Sequence, residues 1–243
     1  MKYKLADKTI RILEHIIIVA EKTSKIVQFC FIKGRKQFYI NPQEDIFVTF
    51  ELDDAIPFDY PIRDLKTFLL KAVSEIDSDK NKVDKEVLFL PTKEHIREFE
   101  SKSVLQTINF TQSDLVQIGK HKHTYLNIIG ENDKLILRYQ NHAKDWWFDD
   151  GNKKIFNIGK STRKFRYVIK RERIRLLPNE YKLIIKVGGV LRFQHKHLNY
   201  YFRCDNGQDG NFWIGVQVKS WVTSKEQVKD KHLIALYKSK GYL

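Results

Sequence analysis

Twice along its 243 residues the chain passes from a helical apolar period to runs of strand-like alternation. That doubled order restricts it to an α+β fold built of two similar units. No strong residue-level identity links the halves, so the repeat is one of architecture.

In the first half Asp7 is read as an N-cap. Ile10, Leu13 and Ile17 recur at helical spacing with Ile18 one position off, and Lys8, Arg11 and Glu14 lie elsewhere on the cylinder. Two strands, Ile26 to Phe31 and Gln37 to Ile40, flank a turn at Lys33-Gly34-Arg35. Ile46 to Phe50 makes a third strand before an acidic loop through Asp54. Pro61 sits where a second helix can start, with Leu65, Phe68, Leu69, Ala72 and Val73 on its apolar face and Arg63, Lys66 and Lys71 off it. A polar turn from Asp77 to Lys85 leads to a short strand, Val87 to Leu90. The charged stretch from Pro91 to Ser103 has little periodicity and reads as a connector between units.

The second half repeats the plan. Thr111-Gln112-Ser113-Asp114 opens a helix in the manner of a capping box, with Leu115 and Ile118 on one face and Lys120 and Lys122 near its end. Leu135, Leu137 and Tyr139 alternate with polar residues in a strand, and Phe165 to Ile169 makes another. The latter runs into Lys170-Arg171-Glu172-Arg173-Ile174-Arg175, a very basic helical turn closed by Pro178. Strands at Tyr181 to Val187, Val190 to Phe193 and Asn199 to Arg203 follow, the first two joined by a Gly188-Gly189 turn. The organisation expected is a first unit over 1–106 that includes the connector at about 91–106, a second over 107–204, and an extension over 205–243.

Charge separates the halves. Of 44 Lys and Arg and 30 Asp and Glu, 18 and 18 fall up to Gln106, and the other 26 and 12 lie beyond it. The second half therefore carries the whole formal charge of +14. A general lysine bias would have raised both halves. One basic half implies a polyanionic partner, and nucleic acid fits better than membrane because no amphipathic lipid-binding helix is evident. No apolar stretch approaches the roughly 20 residues that span a bilayer. The start is basic, but the apolar run after it is broken by Arg11, Glu14 and His15, unlike a signal peptide. Cys30 and Cys204 are too few for a disulfide framework or a zinc site. These features fit a soluble, cytoplasmic protein.

Catalytic signatures are thin. There is no Gly-rich phosphate loop, no Gly-x-Ser-x-Gly and no Cys/His pair at a nucleophile's spacing. No catalytic residue, metal site or cofactor is expected. The enzymatic alternative is a metal-dependent nuclease, in which Glu180-x-Lys182 with Asp149 or Asp150 would hold Mg²⁺ and orient a water. Lys182 is equally explained by the polar face of its strand. The His-Lys-His runs at 121–123 and 195–197 lack a carboxylate or Cys at ligand spacing and read as exposed basic loops. Asp145-Trp146-Trp147-Phe148 has the composition of a base-stacking platform, though core or interface packing accounts for it better.

Three segments carry a family resemblance. They are the opening helix with its hairpin and the helix Asp64 to Leu69; the run Thr107-Ile108-Asn109-Phe110-Thr111 with Asp114-Leu115 and the strand Lys134 to Leu137; and Leu177-Pro178-Asn179-Glu180-Tyr181-Lys182-Leu183, followed by Phe193 and Asn199-Tyr200. In this order they resemble the trimeric sliding clamps of T4-type bacteriophages, within the PCNA-like DNA clamps, over residues 1 to about 203. The resemblance implies a DNA clamp fold: two similar domains, each with an antiparallel sheet outside and two helices facing the DNA. It implies a non-enzymatic processivity factor of DNA replication that encircles duplex DNA without sequence specificity and tethers the replicative polymerase. Its other partners would be a clamp loader, the phage transcription machinery and two further copies of the chain in a homotrimer, in the host cytoplasm if the protein is viral. On that view Lys8, Arg11, Lys66, Lys71, Lys120, Lys122, Lys170, Arg171, Arg173 and Arg175 face the phosphates, and Val104 and Leu105 border a cleft for partner tails. The tail over 205–243 and the strongly positive charge depart from the family's pattern. They support the alternative of a basic, monomeric, clamp-like DNA-binding factor.

Overall fold

The computed structural model describes residues 1–21, 25–71, 75–80, 89–110, 124–140, 155–175, 181–196, 198–205 and 207–209. Helix α1 (Asp7–Ala20) follows strand β1 (Lys2–Lys4) and buries Leu13, Ile16, Ile17 and Ala20, spaced to share one face. Its N-cap is Ala6, which lends no side-chain hydrogen bond, so Asp7 does not cap; it lies in the first turn, where its charge suits the helix dipole.

Strands β2 (Phe29–Phe31) and β3 (Gly34–Ile40) do not form a hairpin with each other. β2 pairs with β5 (Tyr60–Ile62), and β3 pairs with β4 (Ile46–Ile56). The expected acidic loop is the exposed outer stretch of β4, held extended because Lys36 pairs with Glu51 and Gly34 with Ile56. Pro61 lies inside β5 rather than opening a helix. Helix α2 (Leu65–Leu70) starts later because the Asp64 carboxylate accepts from the Lys66 and Thr67 amides and from the Thr67 hydroxyl, satisfying orphan donors of the first turn. Ala72 and Val73 lie outside the described residues, as do Val87 and Leu88 of the expected strand. β6 (Glu75–Asp77) pairs with β1, and a 3₁₀ turn spans Ser78–Lys80.

The connector holds an unexpected helix, α3 (Lys93–Glu100). Thr92 Oγ1 accepts from the His95 amide while His95 Nδ1 accepts from the Thr92 amide, a capping box with His in place of Glu. The boundary expected at 106/107 falls within β7 (Val104–Phe110), which pairs with a strand of the second half.

Beyond β7 come β8 (Tyr125–Glu131), β9 (Lys134–Gln140), β10 (Ile155–Gly159), β11 (Phe165–Lys170), the short helix α4 (Arg171–Arg175), β12 (Tyr181–Lys186), β13 (Val190–His195), β14 (Leu198–Arg203) and β15 (Gln208–Asp209). The strands expected around Leu135, Phe165, Tyr181, Val190 and Asn199 are all present. The helix expected after Thr111, the Asp145–Phe148 cluster and the extension beyond Asp209 fall outside the described residues.

Two antiparallel sheets organise the molecule, one in the order β10-β9-β8-β11-β15 and one in the order β3-β4-β14-β13-β12-β7. The six-stranded sheet joins the halves at a seam where Phe47 of β4 opposes Tyr201 of β14 and Val48 opposes Tyr200. Side chains alternate across it. Val48, Phe50, Tyr200, Phe202, Leu183, Leu191 and Phe193 enter the main core, which also takes in α1 and the inward side chains of the five-stranded sheet. Phe47, Ile40, Tyr201 and Val190 project the other way into a separate cluster with Phe99 of α3. Strand β4 is consequently buried on both faces over Ile46–Phe50, and it reads as an apolar run broken only by Thr49.

The β12–β13 turn passes close to the backbone at Gly207. Gly189 has φ +74°, and a Cβ there would lie 2.9 Å from the Gly207 Cα. Gly189→Ala is expected to cost about 2 kcal/mol through left-handed strain and backbone collision. An unchanged urea midpoint would show instead that the turn relaxes without penalty.

Candidate nucleic-acid interface

Helices α1 and α2 pack together, and two of their four candidate cations are paired with carboxylates. Lys8 Nζ lies 2.9 Å from Asp53 Oδ1 of β4. Lys66 Nζ reaches Glu21 Oε1 at 2.5 Å, just past the end of α1, and that hydrogen bond holds the ammonium above the usual lysine range. Both pairs are solvent-exposed, so they contribute little to stability. They still lower the positive field available to a phosphate. Arg11 and Lys71 are exposed.

In the second half, Lys170 ends β11 and Arg171 begins α4, both half-buried, with the Arg171 amide donating to the Thr124 carbonyl. Arg173 is different. It is 7 % exposed, its Nη2 pairs with Asp45 Oδ2, and its Nη1 donates to the Arg203 carbonyl. A helix turns about 100° per residue, so four basic residues in six cannot share one face. Arg173 and Ile174 point inward, and the Arg173 guanidinium is spent inside the protein. Arg175 closes α4, while Lys120 and Lys122 fall outside the described residues.

Val104 and Leu105 do not line one surface. Val104 is 56 % exposed opposite Lys186, whereas Leu105 packs against the main core. Lys182 is exposed on β12, and Asp149, Asp150 and Glu180 are outside the described residues. Among the described residues no group of three or more His, Cys, Asp or Glu is placed to hold a metal ion. Among them, too, no helix is long and apolar enough to cross a membrane.

Sequence reasoning missed a second set of cations. Lys36, Lys186 and Arg203 flank α3 on the outward face of the six-stranded sheet. Lys186 is 2 % exposed, and its Nζ donates to the carbonyls of Phe99 at 3.0 Å and Glu100 at 2.6 Å. Desolvation, reinforced by neighbouring Arg192, lowers its pKa. Arg192 in turn donates through Nε and Nη2 to Asn199 Oδ1. The signal was present in the strand alternation, since Lys182, Ile184 and Lys186 share the face of β12 opposite Leu183 and Ile185.

No protein-family model matches the sequence, and no curated protein does. Solved structures do. The chain is similar to a protomer of the PCNA2–PCNA3 complex from Sulfolobus tokodaii, with TM-score 0.53 and 11 % identity, covering 84 % of this chain and 99 % of that one. It is similar to Proliferating Cellular Nuclear Antigen from Entamoeba histolytica, with TM-score 0.51 and 10 % identity, over 84 % of this chain and 98 % of that one. The Helicobacter pylori beta clamp bound to a DNA ligase peptide gives TM-score 0.58 at 10 % identity, over 84 % of this chain but 64 % of that one. The chain therefore has the sliding-clamp fold. The match takes in nearly the whole of the PCNA chains and about two-thirds of the bacterial chain.

Proposed function

We propose that the protein is a non-catalytic sliding clamp that holds duplex DNA without sequence specificity and tethers a DNA polymerase, as the processivity factors of T4-type phages do. The observation that carries this reading is the sliding-clamp fold, matched along nearly the whole PCNA-type chain. The charge distribution supports it, with the entire +14 in residues 107–243. Lysine and arginine on helices that line a ring attract phosphates diffusely, which permits sliding. On this reading Lys170 and Arg171 contact DNA, as do Lys120, Lys122 and Arg175, with Arg11 and Lys71 contributing from the first half. Partners are a polymerase, a clamp loader that opens the ring and, in a phage, the transcription machinery. Assembly is a homotrimer closed by a repeated head-to-tail interface.

A second reading, a monomeric clamp-like factor that grips DNA from one side, is favoured by one observation. Lys8 and Lys66 on the first-half helices are already paired with Asp53 and Glu21, which weights the pull on DNA toward the second half.

Light scattering coupled to size exclusion separates the two. A ring is expected at three times 29.0 kDa, retained on closed circular duplex and lost from linear duplex through its ends. A monomer of 29.0 kDa that stays on linear duplex would replace the first reading with the second.

A further inference from the structure

We propose that the extension beyond Asp209 is a fixed layer of the second half, laid across the outward face of the five-stranded sheet, with Glu226 or Asp230 set between two arginines of that face. The extension is then part of the folded unit and not a free arm. The inference stands apart from the DNA reading, because nothing in it depends on nucleic acid.

The face is dry, yet neither apolar cluster accounts for it. In β8, β9 and β11 the side chains of Leu126, Ile128, Leu137 and Tyr167 enter the main core. Alternation sends Asn127, Ile129, Arg138, Arg166 and Val168 to the opposite side. A bare sheet face is wetted by solvent. Here Asn127 and Val168 have no exposed surface, Arg166 is 2 % exposed, and Ile129 is buried. Neither Ile129 nor Val168 belongs to the main core or to the Phe99 cluster, so something outside both covers them.

The chemistry of the face calls for an anion. Arg166 donates through Nε and Nη2 to Asn127 Oδ1 at 3.3 and 3.1 Å, and Arg138 stands directly across from Asn127 on β9. Desolvation, and after it the charge of Arg138, pushes the Arg166 pKa down to about 8, with Glu131 opposing. An arginine keeps its proton in a protein, so two neighbouring guanidinium groups are held here by negative charge. Asn127 Nδ2, buried without a hydrogen-bond partner, adds a donor to the same cluster.

The extension starts beside this cluster. β15 adds to the edge of the sheet with Gln208 opposite Arg166 and Asp209 opposite Phe165. The Asp209 carboxylate accepts from the Tyr167 hydroxyl and, at 2.5 Å, from the Gly188 amide, which fixes the point of departure. Five strands at about 4.8 Å spacing span about 20 Å, and about a dozen extended residues reach about 40 Å. Residues 210–243 are therefore ample to cross the sheet. Phe212, Ile214, Val216 and Val218 fall at alternate positions, the pattern of a segment with one apolar side. Glu226 and Asp230 are the only carboxylate side chains in 210–243, so one of them meets the arginines.

Three measurements on the full chain test this. Lysine-reactive crosslinks on the unaltered protein, mapped by mass spectrometry, are expected to join Lys219 or Lys225 to Lys134, an exposed residue of β9. Absence of any link from the extension to that sheet would overturn the proposal. Val168→Cys places a thiol on the buried face, while Cys30, buried in the first half, reports unfolding of the whole. Adding Val216→Asp and Val218→Asp should raise labelling of that thiol at least about tenfold with Cys30 still protected. An unchanged rate in the folded protein would overturn the proposal and assign the cover to another segment, such as 141–154. Glu226→Gln with Asp230→Asn should lower the urea midpoint in the unaltered background and much less beside Arg166→Met. Equal shifts in the two backgrounds would overturn the pairing of carboxylate and arginine.

Discussion

Arg173→Ala is expected to destabilise the protein by about 3 kcal/mol while changing DNA affinity little once the comparison is made between folded proteins. The arginine is 7 % exposed, and it joins α4 to Asp45, the residue leading into β4. Asp45 also accepts from Asn41 Nδ2 at 2.6 Å, and its side chain is 22 % exposed. Removing the cation leaves that carboxylate half-desolvated and frees the Arg203 carbonyl, an acceptor next to the seam. Losing one partner of a buried pair costs about 3–5 kcal/mol, and the residual exposure of Asp45 places this one at the low end. Urea unfolding reads the loss as a lower midpoint at unchanged slope. Adding Asp45→Ala should restore part of it, because the stranded charge is then gone. A midpoint equal to that of the unaltered protein, together with a large loss of DNA binding, would return Arg173 to the DNA surface and remove it from the core.

That residue shows where reading a sequence succeeds and where it stops. Counting charges singled out Lys170 to Arg175 as one basic surface, but the helical turn sends Arg173 and Ile174 inward. The partner that makes burial tolerable, Asp45, is 128 residues away. Helix α1 was legible because Ile10, Leu13 and Ile17 recur at helical spacing, although its buried face also takes in Ile16 and Ala20 and leaves Ile18 exposed, and β12 to β14 were legible because alternation and the Gly188-Gly189 turn are local signals. Pairing was not legible. Phe29 opposes Ile62 rather than a residue of β3, and Tyr201 opposes Phe47, choices made by the assembled core and by no neighbour in the chain. Helix α3 escaped for a related reason. Only Ile96 and Phe99 mark its apolar side, and its cap uses His95 where a Glu or Gln is usual. Its stability resides in the pocket beneath it, which sequence periodicity does not report.

Affinity for a duplex is expected to fall about a thousandfold as salt rises from about 50 to about 200 mM, because the attraction is a release of condensed counterions. About six phosphate contacts give a slope of about −5 in log affinity against log salt, and a fourfold rise in salt then yields that loss. Most of the contacts should come from the second half, where 26 Lys and Arg face 12 Asp and Glu, against 18 and 18 in the first. Single substitutions distinguish the halves. Lys170→Ala and Arg171→Ala should each reduce the steepness of the slope by about one. Lys8→Ala and Lys66→Ala should leave it nearly unchanged, because Asp53 and Glu21 already hold those ammonium groups and no counterion is released by trading one partner for another. Titrations of a short fluorescent duplex, long enough to cross the protein once, measure all five proteins under the same conditions. A flat salt dependence would remove phosphate contact as the source of binding. Equal losses from Lys8→Ala and Lys170→Ala would mean that the first-half pairs open on the DNA, so that both halves surround it and the one-sided grip fails.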